Sequence, residues 1–517
     1  MSASTLQETT TVHPTGTGHW VHRWALADPD APLIITEDAE FTWGEFDTRV
    51  TGLAGSLADA GVGAGDRVAC LMENRVEFLE LFWATTRIGA IFVPLNNRLT
   101  VTELEHVLGA VDAKVLGTEP YYDEQVYALR EAGASPATVW MPEPSPLATA
   151  SFGDLYATER IATEHVADPS TVAAILFTSG TTGRPKGAMI THGNIAAQAT
   201  NWNTSFGCTR RDRQIVFLPL CFTGGLISAC MSTFLGGGSM VLVRKFDPAT
   251  VLALVERHRP TYFTAVPLMV QRMFDHPNAA STDLTSLRLV ESGGAPVPVP
   301  LIEQVRRLGL ELIQGYGLTE ATGGVNLHLQ EKDNLRKAGS CGMPGLFNSA
   351  RVVDATGRPC APGEPGELLL SGPMVFAGYW QNPEATAETL LDGWLHTGDL
   401  AIEDEEGFFF LVGRTKELIV TGGLNVYPNE VEEVLRTHPA VADVAVVGTP
   451  DDTWGESTTA FVITRGKDLS AADLLDHCRV SLADYKVPKR VHFVDDFPRT
   501  TSGKVVKSRL VSPKEQQ

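Results

Sequence analysis

Between positions 41 and 116 the chain alternates two kinds of apolar pattern. Residues 43–60 and 77–89 place apolar side chains at helical spacing, whereas 68–72 and 90–94 are short continuous apolar stretches of strand length. That alternation predicts helices packed on sheets, the α/β class. A looser stretch containing Pro and acidic residues, 119–167, leads into a compact apolar run at 172–177, which is bounded by a glycine-rich segment and predicts a buried strand. Two similar strands are predicted at 287–291 and 310–313, before the turns Ser292-Gly293-Gly294-Ala295-Pro296 and Gly315-Tyr316-Gly317. Glycine-containing turns leaving three strands suit a site at strand ends, where backbone amides can face a ligand. Beyond Gly413-Arg414 the pattern changes to a smaller α/β unit: a helix with Val431, Val434 and Leu435 on one face, strands at 441–447 and 460–464, and a helix at 471–482.

A chain of 517 residues is too long for a single core and predicts at least two domains. The change of pattern places a boundary at 414–416. The expected organisation is a loose polar tail at 1–18, a large N-terminal domain of several subdomains at 19–413, and a small C-terminal domain at 414–517. Acidic residues outnumber basic ones 62 to 41, so the surface field repels polyanions and argues against a nucleic-acid partner. The seven cysteines form no C-x-x-C pair and no metal-ligand spacing, as expected of reduced thiols in the cytoplasm. Residues 1–18 have neither a basic leader nor an apolar signal core, and the most apolar long stretch, 225–235, is shorter than a bilayer span. No membrane span is expected.

The chemistry starts at the end of the strand at 172–177. Thr178, Ser179, Gly180, Thr181, Thr182, Gly183 and Lys186 pack hydroxyls, glycines and one ammonium into a single loop. Small residues let backbone N–H groups approach phosphate oxygens, hydroxyls add donors, and Lys186 adds positive charge. The spacing is neither G-x-x-x-x-G-K-[ST] nor G-x-G-x-x-G, which disfavours a Walker P-loop and a dinucleotide fold.

This loop resembles the nucleotide-binding signature of the acyl-CoA synthetase, peptide-synthetase adenylation domain and luciferase superfamily. Six further segments resemble the family's motifs in the same order. They are Leu218 to Gly225, Ser292 to Pro296, Gln314 to Glu320, Trp394 to Asp399, Gly413 to Ile419, and Pro498 to Lys504. The resemblance spans essentially the whole chain after the tail. It implies a large adenylate-forming domain with a small mobile C-terminal domain. The implied activity uses ATP and Mg²⁺ to convert a carboxylic acid to its acyl-AMP, then passes the acyl group to coenzyme A.

The resemblance also assigns roles. Thr319 and Glu320 are similar to the family's phosphate- and Mg²⁺-contacting pair, with Thr181 as a further metal contact; a carboxylate suits a hard cation bridging phosphates. Gly293, Gly294, Ala295, Gln314, Gly315 and Tyr316 resemble the adenine and acyl cleft, where glycine permits close approach and an aromatic face stacks on a base. Phe222, Thr223, Gly224, Gly317, Thr322 and Gly323 are implied at the acid. Asp399 is similar to the ribose-binding aspartate and Arg414 to its partner. Lys504 resembles the catalytic lysine that bridges substrate carboxylate and α-phosphate and offsets their repulsion. Lys416 stands at the family's hinge position, and Gly422, Gly423 and Asn425 resemble the pantetheine channel.

Two positions depart from the pattern. Phe222 stands where many relatives carry a His or a bulky aromatic, and Leu424 where many carry a Glu. Leu424 removes a carboxylate near the presumed thiol path and keeps open a second reading, an amide synthetase that passes the acyl group to an amine. A non-catalytic ATP-binding protein is a third reading, against which the intact Thr181, Lys186, Glu320, Asp399, Arg414 and Lys504 argue. Segments 222–227 and 322–326 carry no Lys or Arg, so a neutral aliphatic or aromatic acid fits better than a dicarboxylate. The stretch 331–340 is similar to bacterial fatty-acyl-CoA ligases. The oligomeric state, a homodimer included, stays open.

Overall fold

The computed structural model describes residues 16–157, 167–178, 185–422, 424–451, 453–466, 469–499 and 505–510. They fall into two compact units. One comprises Met1–Leu335, Pro344–Ser349 and Ser371–Leu390; the other comprises Arg336–Met343, Ala350–Leu370 and Leu391–Gln517.

In the first unit, one sheet runs in the spatial order Ala150–Ser151, Thr138–Met141, Val115–Thr118, Arg67–Leu71, Ile91–Pro94, β1 (Val172–Thr178) and β2 (Lys186–Thr191). Its neighbours pair in parallel until β1 and β2, which form an antiparallel hairpin. The helix Trp43–Asp59 opens on a capping box between Thr42 and Glu45 and buries Phe46, Val50, Leu53 and Leu57, one stripe at helical spacing. The helix α1 (His192–Phe206) follows β2, opened by a second capping box from Thr191 and Asn194 and closed by Gly207 in the left-handed conformation.

A second series of strands in this unit runs Glu40–Thr42, Pro32–Ile35, Ser239–Leu242, Arg213–Val216, β3 (Tyr262–Ala265), β4 (Leu289–Gly293), β5 (Glu311–Tyr316) and β6 (Leu327–Leu329). The interior pairs are parallel and the two outermost pairs antiparallel. On one face Phe263, Val290 and Leu312 pack with Val251, Val270 and Val305 from three covering helices. On the other, Tyr262, Leu289 and Ile313 meet Trp202 and Phe206 of α1. The strands β4 and β5 run further than the apolar pattern predicts, through Gly293 and through Gly315-Tyr316. These glycines are strand residues because Gly293 lies opposite Gly315, and a Cβ on Gly293 would come within 2.5 Å of the Gly315 carbonyl oxygen.

In the second unit, β7 (Trp394–Glu403) and β8 (Phe409–Arg414) form the centre of an antiparallel sheet with Pro365–Ser371 and Ser340–Pro344. A further sheet holds β9 (Ile419–Thr421), β10 (Leu424–Val426), β11 (Val441–Asp451) and β12 (Gly455–Thr464). Its core joins Val444, Val446 and Val462 to Val431 and Leu435 of α2 (Pro428–Arg436) and to Leu474 and Cys478 of α3 (Ala471–Ser481). All seven cysteines are unbridged. Among the described residues no helix is long and apolar enough to cross a membrane.

Candidate active site

The loop expected to hold phosphate joins β1 to β2. Thr178 pairs with Lys186 across the hairpin. Ser179, Gly180, Thr181, Thr182 and Gly183 lie outside the described residues, as does Arg184. Residues 377–380 run beside β2, with Ala377 N–H donating to the Met189 carbonyl (3.0 Å), Met189 N–H to Gly378 (2.9 Å) and Trp380 N–H to Gly187 (2.7 Å). That strand-like zipper fixes Tyr379. The Lys186 ammonium sits 5.0 Å from the centre of its ring, and its hydroxyl donates to Glu320 Oε1 at 2.8 Å. Burial and the adjacent Glu320 carboxylate push the phenol well above its ordinary value, so it stays a proton donor. Tyr379 thus couples the two best-defined motifs, Lys186 and Thr319-Glu320.

The Thr319-Glu320 segment is held from several sides. Thr319 opens a single 3₁₀ turn, Thr319–Ala321. Its hydroxyl accepts from that of Thr223 at 3.0 Å, which brings the Phe222–Gly224 segment to the same place. The Phe376 N–H donates to the Glu320 carbonyl at 2.9 Å. Thr322, Gly323 and Gly324 all adopt positive φ, and the loop is stitched by Asn326, whose amide donates to the carbonyls of Ala321 (3.0 Å) and Gly323 (2.7 Å). Thr322 is fully buried and donates its hydroxyl to the Met374 carbonyl, so it secures this left-handed turn. Gly317 is required by close approach, since a Cβ there would lie 2.3 Å from the Gly324 carbonyl oxygen.

The strand-end residues Gly293 and Gly315 lie side by side, with Gln314 opposite Ser292. Gln314 donates to Asn334 Oδ1 at 3.0 Å, and Asn334 in turn donates to the Leu312 carbonyl. Tyr316 is buried and Gly294 takes positive φ as the chain leaves β4. After Thr223 the chain forms a π-helical turn, Gly224–Ala229. Such turns widen a helix and recur at functional sites.

Three buried polar groups here were not singled out by sequence. Among the described residues neither amide atom of Gln198 of α1 has a hydrogen-bond partner, and neither does Ser228 Oγ. A Cβ on Gly324 would come within 1.7 Å of Gln198 Nε2, and one on Gly323 within 2.8 Å of Ser228 Oγ. Glu291, inside β4, is the third. An acid at the end of the apolar run at 287–291 was the signal that could have found it.

In the second unit, Asp399 of β7 lies opposite Arg414 of β8, and Arg414 Nε is 2.8 Å from Asp399 Oδ1. Asp399 is buried, whereas half of the Arg414 side chain is exposed. The preceding turn is fixed by Glu367, which accepts from the Gly398 N–H (3.0 Å) and contacts His396 Nδ1 (2.9 Å). The predicted pair is therefore an ion pair across a hairpin. Lys416 lies in the 3₁₀ turn Thr415–Glu417. Gly422 has positive φ and lies against the ring of Trp454, where a Cβ would meet Cε3 at 2.8 Å. Asn425 and Leu424 are exposed on β10; Gly423 and Lys504 lie outside the described residues.

The strand-end glycines and the contacts of Lys186, Tyr379 and Glu320 suit a phosphate-bearing ligand, and comparison with known proteins gives the class, that of adenylate-forming enzymes. Residues 21–380 match the family model described as AMP-binding enzyme, and residues 430–504 match the AMP-binding enzyme C-terminal domain. The chain belongs to the AMP-binding enzyme family and, within it, to the AMP-forming acid–thiol ligases. It is 42% identical to a feruloyl-CoA synthase from an Amycolatopsis species, over 96% of this chain and 98% of that one. It is 37% identical to an indoleacetate–CoA ligase from Aromatoleum aromaticum, over 94% and 96%. Among solved structures, ATP-bound MatB from Rhodopseudomonas palustris matches with a TM-score of 0.88 at 34% identity, covering 96% of this chain and 98% of that one.

Proposed function

We propose that this chain converts a neutral aromatic carboxylic acid to its coenzyme A thioester through an acyl-AMP. The observation that carries this reading is the convergence of Thr223, Lys186 and Tyr379 on Thr319-Glu320. It sets a cation over the face of one phenol and a carboxylate at its hydroxyl, an arrangement that suits a magnesium–polyphosphate substrate. Two relatives named for aryl acids support the aromatic class.

In the first step a carboxylate oxygen attacks the α-phosphorus of MgATP and the bond to the β-phosphate breaks, releasing pyrophosphate. Thr181 and the loop amides would cradle phosphate, and Glu320 would hold the Mg²⁺ that enters with ATP and would offset polyphosphate charge. Gly293, Gly294, Ala295, Gln314, Gly315 and Tyr316 take adenine and the near part of the acid. Asp399 accepts from the ribose hydroxyls, with Arg414 holding its orientation, and Lys504 neutralises the approaching anions. In the second step the coenzyme A thiolate attacks the acyl carbon and the carbon–oxygen bond to AMP breaks; AMP is the leaving group that oxide is not. Residues 414–517 act as the mobile domain hinged at Lys416, and Gly422, Gly423 and Asn425 line the thiol path. The reduced cysteines suit the cytoplasm.

Acid-dependent exchange of labelled pyrophosphate into ATP tests the first step, and exchange with no member of a panel of aryl and aliphatic acids sinks it. Leu424 favours one second reading, transfer to an amine. AMP release on adding coenzyme A, compared with a panel of amines, decides between acceptors, and thioester formation at ordinary turnover removes the amine.

A further inference from the structure

Trp454 has no part in either step above, and it does not serve the core. Its side chain is 52% exposed and belongs to neither apolar cluster of the C-terminal sheet, whereas Ile419 and Val426 of the β9–β10 hairpin are buried in one of them. What its ring does meet is Gly422, at the tip of that hairpin.

The hairpin is built onto the turn that joins β11 to β12. Thr421 pairs with Leu424, the register of a hairpin that reverses in two residues, and Gly422 is the first of them. Its φ of +56° belongs to the primed turns that such hairpins favour, and glycine reaches it without strain. The same freedom makes glycine the costliest backbone to hold in one conformation. Residues 454–456 hold this one. The Gly422 N–H donates to the Trp454 carbonyl at 2.8 Å, Thr421 pairs with Gly455, and the Val420 N–H donates to Glu456 Oε2 at 2.8 Å. The indole completes the grip: a Cβ on Gly422 would meet its Cε3 at 2.8 Å and its Cζ3 at 3.2 Å, so the ring lies against the glycine backbone itself. Trp454 is fixed in turn by Asp451, whose Oδ1 accepts from the N–H groups of Thr453 and Trp454 at 3.0 and 3.1 Å. Residues 421–426 carry no charged side chain, so this hairpin can guide a ligand only by its shape, its backbone and the Asn425 amide.

We propose that Trp454 is a positioning residue for the thioester-forming step, pressing the Gly422 turn into the shape that receives the pantetheine arm of coenzyme A. The inference rests on the proposed function, which puts Gly422, Gly423 and Asn425 on the thiol path and gives them no part with ATP or the acid. Ordering a free glycine turn at the moment of binding subtracts from affinity and lets the thiol wander from the acyl carbon; a turn already held avoids both. Trp454 therefore acts on the second step and leaves the first untouched, a split that a general loss of stability does not produce.

The experiment compares the two steps in the full chain, using whichever acid of the aryl and aliphatic panel exchanges fastest. Exchange of labelled pyrophosphate into ATP reads the first step, and thioester formation at varied coenzyme A reads the second. Trp454→Ala should lower kcat/KM for coenzyme A by about fivefold or more, mainly through KM, with exchange within about twofold of wild type. Trp454→Phe keeps a ring against Gly422 and should stay within about threefold of wild type in both steps. An unchanged kcat/KM for coenzyme A in the Ala variant overturns the inference, and so does an equal fall in exchange and thioester formation. If the Ala variant melts below the assay temperature, Trp454→Leu takes its place in the same comparison with the same outcomes. Exchange with no acid, or exchange without any thioester in the wild-type protein, overturns the proposed function and this inference together. A thioester made equally well without the indole overturns the inference alone.

Discussion

Two neighbourhoods of the first unit treat polar groups in opposite ways. Around Thr319-Glu320 the polar atoms are partnered: Thr223 to Thr319, Tyr379 to Glu320, Asn326 to the loop carbonyls. Around Gln198 and Ser228 they are buried without a hydrogen-bond partner among the described residues. Unpaired buried polar atoms cost about 1–3 kcal/mol each, a cost that ordered water or a bound molecule removes. The contrast separates a region whose polar atoms are tied to one another from one whose polar atoms are not.

The largest expected effect breaks the organised side. Glu320→Ala removes the carboxylate proposed to meet the metal–phosphate substrate, and kcat for acid-dependent pyrophosphate exchange should fall by about 10²–10³. A smaller loss is expected from Tyr379→Phe, which keeps the ring under Lys186 but deletes the hydrogen bond to Glu320. It should lower kcat about tenfold, with KM for the acid little changed.

On the unpaired side, Gly324→Ala forces a methyl to within 1.7 Å of Gln198 Nε2 at a position with φ +66°. Acid KM should rise about fivefold to tenfold while KM for ATP moves little, measured by exchange kinetics. The smallest effect is on stability. The Glu291 carboxyl moves from an ordinary 4.5 to about 8 on folding, so between those values the folded protein holds a proton that the unfolded chain releases. Stability therefore falls as pH rises from 4.5 to 8 and levels off above. Glu291→Gln removes that fall: its Tm should exceed wild type at pH 8 and converge on it near pH 5, as followed by calorimetry.

The strand before the phosphate loop was legible because 172–177 is a compact apolar run ending at a hydroxyl- and glycine-rich segment; β1 spans Val172–Thr178. The helix expected at 471–482 is Ala471–Ser481, begun by a Ser470–Asp473 capping box. The continuation of β4 and β5 through their glycines was not legible, because glycine alone reads as a turn and only the opposing strand reveals close packing. Thr319 and Glu320 stood out in sequence, but Tyr379 did not. Its place depends on the pairing of residues 377–380 with β2, a long-range contact that no local pattern encodes. Glu291 was visible as an acid in an apolar run, yet only the strand register tells which face it occupies.

The contact between Gly422 and Trp454 has an optical consequence. Of the nine tryptophans, Trp454 is the one exposed, at 52%, while Trp43, Trp83, Trp140 and Trp202 are buried. Its indole lies against the backbone of the segment proposed to receive the pantetheine arm. Acrylamide quenching of the red-edge emission therefore samples this corner in preference to the buried rings. Titrating coenzyme A into the untagged enzyme and following that quench offers a label-free record of when the proposed thiol channel becomes occupied, independent of turnover.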